Sequence, residues 1–355
     1  MKKIGIVGVG GVAAYAQLPA YQSRGIPVAA IADINENALK SAGEVFGISA
    51  RYTDPEKMIC EQKLDVLDIA TPPQTHLDLL EIAARYHLSV VMQKPFITDR
   101  TQLDRAWELV KRCSHFKLNL TGRYVSAWQK VHDLLQENRI GKPVFCTIIN
   151  QDWWDRENGR WDTSVKDYVI YEMLIHHLDL CCWWFGIPKA VAARGGVSSG
   201  QNMQMMNLIT VTLEYDNGLI VQLVENWAMP EYSFSTGHPF EDILITGSAG
   251  CIKANSERVQ CSVMGENKIE VWNKPRPGQK LPQQMLANNW FCDSFGAAMQ
   301  DYLTRFDEEK LTAEDKEYAL TLTELTFRVA EASSSNSWVP VNLPRGASRK
   351  VKIYD

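Results

Sequence analysis

A glycine-rich turn near the amino terminus restricts the fold more than any other segment. A short apolar, β-prone run at residues 4–7 leads into the pattern G-x-G-x-x-A at residues 8–13. A helical stretch and a second apolar run at residues 28–32 follow, and Asp33 lies 20 positions after Ala13. Strand, glycine turn, helix, strand and acid in this order are typical of a dinucleotide-binding βαβ unit.

Each position of this turn has a physical reason. Gly8 permits the tight turn, Gly10 lets the backbone approach a pyrophosphate, and Ala13 allows the helix to pack closely on the strand. Asp33 can accept hydrogen bonds from both ribose hydroxyls, and no Arg or Lys stands at residues 34–37, so NAD is favoured over NADP. The alternative is a glycine turn that merely joins a strand to a helix. The predicted cofactor contacts here are Gly8, Gly10, Gly11, Val12, Ala13 and Asp33.

The alternation of strands and helices continues along the first third of the chain. It predicts an α/β fold whose N-terminal Rossmann domain, residues 1–123, holds a doubly wound parallel sheet. Ligands of such sheets bind beyond the carboxyl ends of the strands, and Thr71 and Lys94 fall at such ends. Further strands are predicted at residues 66–70, 89–92 and 117–120.

The remainder of the chain, residues 124–355, changes character. Residues 209–215 and 219–223 alternate apolar and polar side chains on either side of a D-N-G turn. This pattern predicts an antiparallel hairpin with one covered face. With a helix predicted at residues 168–185, the second domain is expected to be α+β with a mainly antiparallel sheet.

Composition excludes several classes of protein. Lys plus Arg is 37 and Asp plus Glu is 42, a formal net charge of −5 at pH 7, and no basic run suggests a nucleic-acid partner. No apolar stretch reaches the roughly 18 residues of a membrane span. The eight cysteines include no C-x-x-C pair, which disfavours a disulfide framework or a cysteine zinc site. We therefore expect a cytoplasmic protein, although the lysine-led apolar start superficially resembles a signal peptide.

Lys94 is the first candidate for chemistry. It stands between Gln93 and Pro95 at the end of a predicted strand, and the residue before a proline is restricted to extended geometry. A lysine fixed at this edge faces the cofactor cleft and can polarise a substrate hydroxyl or relay its proton. The alternative is a solvated surface lysine.

A predicted helix in the second domain carries a polar face. Glu172, His176, Asp179 and Trp183 share this face at spacings of i, i+4, i+7 and i+11. His176 can take a hydroxyl proton, Glu172 can orient it or bind substrate, and Asp179 can hold its imidazole. His177 points about a quarter turn away and is predicted to be a core histidine. A metal site is disfavoured because only three ligand-type residues share the face.

Aromatic and charged residues precede that helix in one loop. Trp154 and Trp161 stand beside Asp and Arg residues, and aromatic faces with charged neighbours suit the C–H face and the hydroxyls of a sugar. An interface loop or a lid is the alternative. Arg123 and Tyr124, which follow the last strand of the first domain, are further candidates for substrate contact.

Together these motifs resemble the glucose-fructose oxidoreductase / inositol dehydrogenase / rhizopine catabolism family (Gfo/Idh/MocA) from Lys3 to about Pro344. The resemblance rests on the glycine turn with Asp33, Ala70-Thr71-Pro72-Pro73 with His76, Gln93-Lys94-Pro95, and Glu172 with His176-His177-Leu178-Asp179.

The resemblance implies a Rossmann domain followed by a domain whose open sheet often supports oligomers, here a homodimer or homotetramer. It implies oxidation of a secondary hydroxyl on a sugar, sugar acid or cyclitol. The family's catalytic lysine and histidine match Lys94 and His176, and the acid one turn earlier matches Glu172. The cofactor contacts that the resemblance adds are Thr71, Pro72, His76, Gln93 and Lys94.

Three residues depart from the usual pattern of the family. Gln93 stands in place of Glu, Glu172 in place of Asp, and Leu174 in place of Gly, so no member's substrate can be carried over. The leading hypothesis is an NAD-dependent dehydrogenase with a carbohydrate-like substrate. The alternatives are a redox-neutral, NAD-requiring glycosidase or epimerase, and a catalytically silent dinucleotide-binding sensor or regulator.

Overall fold

The computed structural model describes residues 2–155, 164–229, 240–274 and 293–342. The described chain divides into two compact units, and it passes from the first to the second between Thr121 and Gly122. Residues 293–324 return to the first unit, and residues 325–342 belong to the second.

The first unit is built on a parallel sheet. Its strands are β1 (Ile4–Val7), β2 (Val28–Ala32), β3 (Arg51–Tyr52), β4 (Val66–Ile69), β5 (Ser89–Gln93) and β6 (Phe116–Asn119). They lie side by side in the order β3-β2-β1-β4-β5-β6, and every neighbouring pair is parallel. Strands β1, β4, β5 and β6 are buried along their whole length, as expected where helices cover both faces. The predicted Rossmann fold is confirmed.

Helices connect these strands. They are α1 (Leu18–Ser23), α2 (Glu36–Val45), α3 (Pro55–Gln62), α4 (His76–Arg85) and α5 (Leu103–Arg112). A π-helical turn at Ala13–Gln17 leads directly into α1. The side chains of Asn35 and Asp54 accept hydrogen bonds from backbone N–H groups in the first turns of α2 and α3, which fixes where these helices begin.

A helix from late in the sequence completes the first unit. Helix α8 (Asp293–Asp307) packs against α1, where a Cβ at Gly296 would lie 3.1 Å from the carbonyl oxygen of Ala20. The sequence-based boundaries placed all of residues 124–355 in one domain. The structure differs because the apolar face of a helix shows that it packs but does not show against which domain.

The second unit contains a mixed sheet. Its strands are β7 (Pro143–Gln151), β8 (Ala190–Gly196), β9 (Leu208–Glu214), β10 (Ile220–Asn226), β11 (Phe240–Gly247), β12 (Gly250–Asn255), β13 (Arg258–Val263), β14 (Ile269–Asn273) and β15 (Val339–Pro340). In the described residues their order is β14-β13-β12-β11-β7-β10-β9-β8-β15. Among the described strands of this sheet, β7 and β10 alone pair in parallel, so the expected mainly antiparallel sheet, including the β9–β10 hairpin, is confirmed.

The two faces of this sheet differ. Cys146 and Ile148 of β7 are buried on one face, where α6 (Ser126–Gln136) and α7 (Ile175–Phe185) pack, whereas Phe145 points to the other face and is exposed. The last described helix, α9 (Ala313–Ser335), begins in the first unit and ends in the second. No helix in the described part of the chain has the length and the apolar character needed to cross a bilayer.

Candidate functional site

The glycine turn after β1 has the geometry of a nucleotide-binding loop. Gly8 has a φ of +86°, and a Cβ there would lie 2.9 Å from backbone atoms of Ala70 and Thr71, so only glycine fits between the ends of β1 and β4. A Cβ at Gly10 would meet no described atom within 4 Å. The backbone at Gly10 is therefore open to close approach, which fits the pyrophosphate of a dinucleotide. Gly10 and Gly11 are exposed, Val12 is half-buried and Ala13 is buried.

Asp33 holds this turn at the end of β2. Its Oδ2 accepts from the backbone N–H of Val9 at 2.8 Å, and its Oδ1 accepts from the N–H of Asn35 at 2.8 Å. The carboxylate is thus oriented before any ribose binds. The next side chain, Ile34, is 92% exposed. An isolated apolar side chain beside Asp33 is a candidate contact for an adenine ring, and sequence reasoning missed it because one exposed Ile forms no pattern.

A buried carboxyl lies beneath the helix that follows the glycine turn. Asp68 of β4 accepts from Tyr21 Oη at 2.7 Å and from Gln17 Nε2 at 3.1 Å. Gln17 ends the π-helical turn, and Tyr21 lies one turn further along α1. Burial raises the pKa of Asp68 to about 7, although both donors act to lower it. We call Asp68, Gln17 and Tyr21 the Asp68 cluster.

The ends of β4 and β5 are joined by His76. Its Nε2 lies 2.8 Å from the carbonyl oxygen of Thr71, and its Nδ1 lies 2.9 Å from that of Phe96. Burial lowers the pKa of His76, while its backbone contacts oppose this shift. The side chain is fully buried, so the structure places it where it supports the Thr71–Pro72 loop from below.

Gln93 and Lys94 stand at the mouth of β5. Gln93 is buried, and its Oε1 accepts from the backbone N–H of Lys94 at 3.0 Å. Lys94 is half-buried and precedes Pro95 through a cis peptide bond. The amide oxygen of Gln93 thus accepts the same kind of hydrogen bond that a carboxylate oxygen accepts.

The helix with the predicted polar face begins in a wider turn than an α-helix. Residues Ile170–Leu174 form a π-helical turn that continues into α7. The α-helical spacing that placed Glu172 on the face of His176 therefore applies only from Ile175 onward. Glu172 is half-buried in the π-helical turn, and His176 is 6% exposed in the first turn of α7.

Asp179 has a partner that the sequence did not predict. Its carboxylate accepts from Arg123 Nε at 2.9 and 3.0 Å and from Arg123 Nη2 at 2.6 Å, and both side chains are buried. Two groups of one guanidinium on one carboxylate form a charge-assisted, oriented pair. Arg123, predicted as a substrate contact, therefore ties α7 to the short 3-10 turn at Gly122–Tyr124. Tyr124 is half-buried in the same turn.

His177 is buried, as predicted for a core histidine, but its surroundings are ionic. Its Nδ1 lies 2.6 Å from Glu225 Oε1, and its Nε2 lies 2.9 Å from Glu241 Oε1. Burial by itself would lower the pKa of His177, but the two carboxylates outweigh it and raise the pKa to about 10. We call His177, Glu225 and Glu241 the His177 cluster.

Trp154 lies in a loop that ring stacking and hydrogen bonds hold in place. Its ring stacks on Trp227 with 5.3 Å between centroids, and its carbonyl oxygen accepts from Gln201 Nε2 at 3.2 Å. Asp155 accepts from the backbone N–H of Asn202 at 2.8 Å. Trp161, the other aromatic candidate, lies outside the described residues. No group of three or more His, Cys, Asp or Glu side chains in the described ranges is arranged to hold a metal ion.

Comparison with known proteins agrees with these features. The profile of the GFO_IDH_MocA oxidoreductase family, described as an NAD-binding Rossmann fold, matches residues 2–116, and the profile of the GFO/IDH/MocA C-terminal domain matches residues 128–253. The crystal structure of an oxidoreductase from Agrobacterium radiobacter in complex with NAD+, L-tartaric acid and magnesium has a TM-score of 0.84 at 23% identity, over 96% of this chain and 98% of that one.

Two curated relatives are similar in sequence. A D-apiose dehydrogenase of Rhizobium rhizogenes is 26% identical over 258 residues, which cover 70% of this chain and 71% of the relative. A myo-inositol 2-dehydrogenase of Thermotoga maritima is 23% identical over 246 residues, which cover 67% of this chain and 71% of the relative. With both domain profiles matched in order, the chain belongs to the GFO/IDH/MocA family of NAD-binding oxidoreductases.

Proposed function

We propose that this protein is an NAD-dependent oxidoreductase that transfers a hydride between a secondary hydroxyl of a sugar, sugar acid or cyclitol and the nicotinamide. The observation that carries the proposal is the oriented Asp33 carboxylate at an open glycine turn, in a chain that also bears Lys94 and His176. The relatives named as D-apiose and myo-inositol dehydrogenases support the substrate class.

The chain's own residues divide the chemistry between them. When bound, NAD supplies the hydride acceptor. His176 takes the proton of the substrate hydroxyl, Lys94 polarises that hydroxyl and relays its proton, and Glu172 positions the substrate. The expected cofactor contacts are Gly8, Gly10, Gly11, Val12, Ala13, Asp33, Thr71, Pro72, Gln93 and Lys94, with His76 supporting Thr71 from below. Tyr124, Trp154 and Trp161 are the proposed further substrate contacts.

NAD is preferred over NADP because of Asp33. Its carboxylate is fixed by two backbone N–H groups, so a 2′-phosphate would meet a negative charge that cannot turn away. An Asp33→Ala variant is expected to weaken NAD binding and to reduce the preference over NADP.

The test is the formation of NADH, followed by absorbance, with a panel of inositols, pentoses, hexoses, sugar acids and disaccharides. Lys94→Met and His176→Ala are each expected to lower kcat by about 10²-fold or more, because positioned acid–base groups contribute that much. A loss below about tenfold in both variants would contradict the assigned roles. Folded protein that binds NAD but oxidises nothing would favour the sensor, and NAD-dependent turnover without accumulating NADH would favour the redox-neutral enzyme.

We also propose a cytoplasmic homodimer or homotetramer. All seven described cysteines are free thiols, which suits a reducing compartment. On the open face of the second unit's sheet, Phe145 and Ile220 stand side by side on β7 and β10, and Leu244 of β11 lies nearby, each more than a third exposed. A contiguous apolar patch of this kind is typical of an interface. Phe145→Lys is expected to reduce the oligomer to monomers in light scattering.

A further inference from the structure

One layer of the second unit's sheet is polar although it is buried. Asn150 of β7 pairs in register with Glu225 of β10 on one side and with Glu241 of β11 on the other. Neighbours in register point to the same face of a sheet, so these side chains form a row beneath α7, and all are buried. The preceding layer consists of Ile148, Leu223 and Ile243.

His177 reaches into this row from α7. Its two ring nitrogens lie 2.6 and 2.9 Å from oxygens of Glu225 and Glu241. An ionised carboxylate only accepts hydrogen bonds, so two such contacts require a hydrogen on each ring nitrogen. The hydrogen-bond geometry therefore assigns His177 as an imidazolium that donates to β10 and β11 at once.

A second charged contact holds α7 on its opposite side. Asp179 lies two residues after His177, which is about 200° around the helix axis, and it receives the guanidinium of Arg123. The helix is thus tied to the sheet by His177 and to the Gly122–Tyr124 turn by Asp179. His176 lies between these two directions, so rotating or sliding α7 would break directional contacts on both sides.

We propose that His177 is a positioning residue for His176: donating to Glu225 and Glu241 together, it fixes the rotation and the height of the helix that presents the catalytic imidazole. This proposal rests on the proposed function of His176. An apolar side chain at position 177 would fill the same space, but it would allow the helix to slide because apolar packing has no direction. A misplacement of about 1 Å at a reacting group costs up to roughly 10²-fold in rate.

The test compares carboxylates that differ in burial. Glu225→Gln/Glu241→Gln removes both charges and keeps the shape of the side chains. Glu214→Gln is the matched control, because Glu214 is on β9 of the same sheet and its ion pair with Lys189, at 2.7 Å, is exposed on both sides. If the double variant does not fold, Glu241→Gln alone replaces it, since Glu225 then still pairs with His177.

The charge state of His177 is read first, by nitrogen NMR of ring-labelled histidine at about pH 8, where an ordinary histidine is neutral. Wild type and Glu214→Gln are expected to show both ring nitrogens of His177 protonated. The double variant is expected to show a neutral ring, because burial without a carboxylate disfavours the charge. A neutral His177 in wild type would overturn the proposal, and this result does not depend on finding any substrate.

The second measurement is kcat. It is divided by the concentration of NADH-binding sites, so that unfolded molecules do not contribute to the value. The double variant is expected to lose at least about tenfold in kcat and Glu241→Gln about threefold, whereas NAD affinity stays unchanged. A role in stability alone would lower the melting temperature and leave kcat per site intact, which would also overturn the proposal. Absence of turnover in wild type would refute the proposed function and leave the NMR result standing.

Discussion

The two units bury carboxyl groups in different ways. In the Asp68 cluster the carboxyl accepts from two neutral donors, Tyr21 and Gln17, and burial raises its pKa to about 7. In the His177 cluster the carboxylates of Glu225 and Glu241 meet an imidazolium whose pKa rises to about 10. Burial still raises the pKa of Glu225, but His177 acts against that shift. The comparison teaches that hydrogen bonds satisfy a buried carboxyl, whereas only a countercharge keeps it ionised.

The location of each cluster gives this difference a functional meaning. The Asp68 cluster supports the π-helical turn and α1, which follow the glycine turn, and the pKa of its carboxyl is raised to about 7. The His177 cluster and the Arg123–Asp179 pair support the helix of His176. The two carboxylates raise the pKa of His177 to about 10, so its imidazolium stays charged at neutral pH.

The largest expected loss of stability comes from removing one ion of the Arg123–Asp179 pair. Arg123→Met leaves the fully buried Asp179 carboxylate without its guanidinium and is expected to lower the free energy of unfolding by about 3–5 kcal/mol in urea titrations. Tyr21→Phe, which removes one neutral donor from Asp68, is expected to lower it by about 1–2 kcal/mol.

A double variant separates charge from packing at the same place. Arg123→Met/Asp179→Leu removes both ions together and is expected to recover most of the stability that Arg123→Met loses, because apolar groups of similar size can replace a buried pair. If the double variant is no more stable than Arg123→Met, the loss comes from packing, and the distinction drawn between the two clusters does not hold.

The next largest effect is expected when Asp68 is replaced by a residue that cannot ionise. The folded pKa of Asp68 is about 7, and that of an unfolded aspartate is about 3.9. Between these values the unfolded chain has lost the proton and the folded chain retains it, so stability falls as pH rises from about 4 to about 7 and then levels off. Asp68→Asn is expected to remove this slope and to stabilise the protein by about 1–3 kcal/mol at about pH 8.

Thermal unfolding of Asp68→Asn across pH checks this expectation, with Asp104→Asn as the control because Asp104 is exposed on α5. The control is expected to follow the wild-type curve. An unchanged slope in Asp68→Asn would show that Asp68 is ionised in the folded protein, and that neutral donors are sufficient for a buried carboxylate.

The sequence predicted those features that local rules determine. The glycine turn, Asp33 and the alternation around the D-N-G turn are each contained in a short window, and both the Rossmann fold and the β9–β10 hairpin agree with the structure. The π-helical turns at Ala13–Gln17 and Ile170–Leu174 were not predicted. A π-helical turn contains one more residue than an α-helical turn, and a single such turn is too short to produce an apolar pattern of its own.

The ionic contacts of α7 were missed for a different reason. The partners of His177 lie 48 and 64 residues away, and Asp179 is 56 residues from Arg123, so no spacing rule connects them. One signal was nevertheless present. Glu225 follows Val221 and Leu223 at alternate positions of one strand, which places an acid on the buried face, and a buried acid requires a partner.

The smallest effect is expected when a carboxyl replaces the buried amide of Gln93. Gln93 is 5% exposed and accepts from the N–H of Lys94, so Gln93→Glu keeps the acceptor and adds a charge. We expect it to destabilise the protein by about 0.5–1.5 kcal/mol at about pH 8 and much less at about pH 5, because burial keeps the new carboxyl protonated in acid. Gln22→Glu, on the exposed face of α1, is expected to show no such dependence on pH. Equal stability of Gln93→Glu and wild type at both pH values would mean that Lys94 acts as a countercharge to the new carboxylate, as His177 does for Glu225. The end of β5 would then resemble the His177 cluster and not the Asp68 cluster.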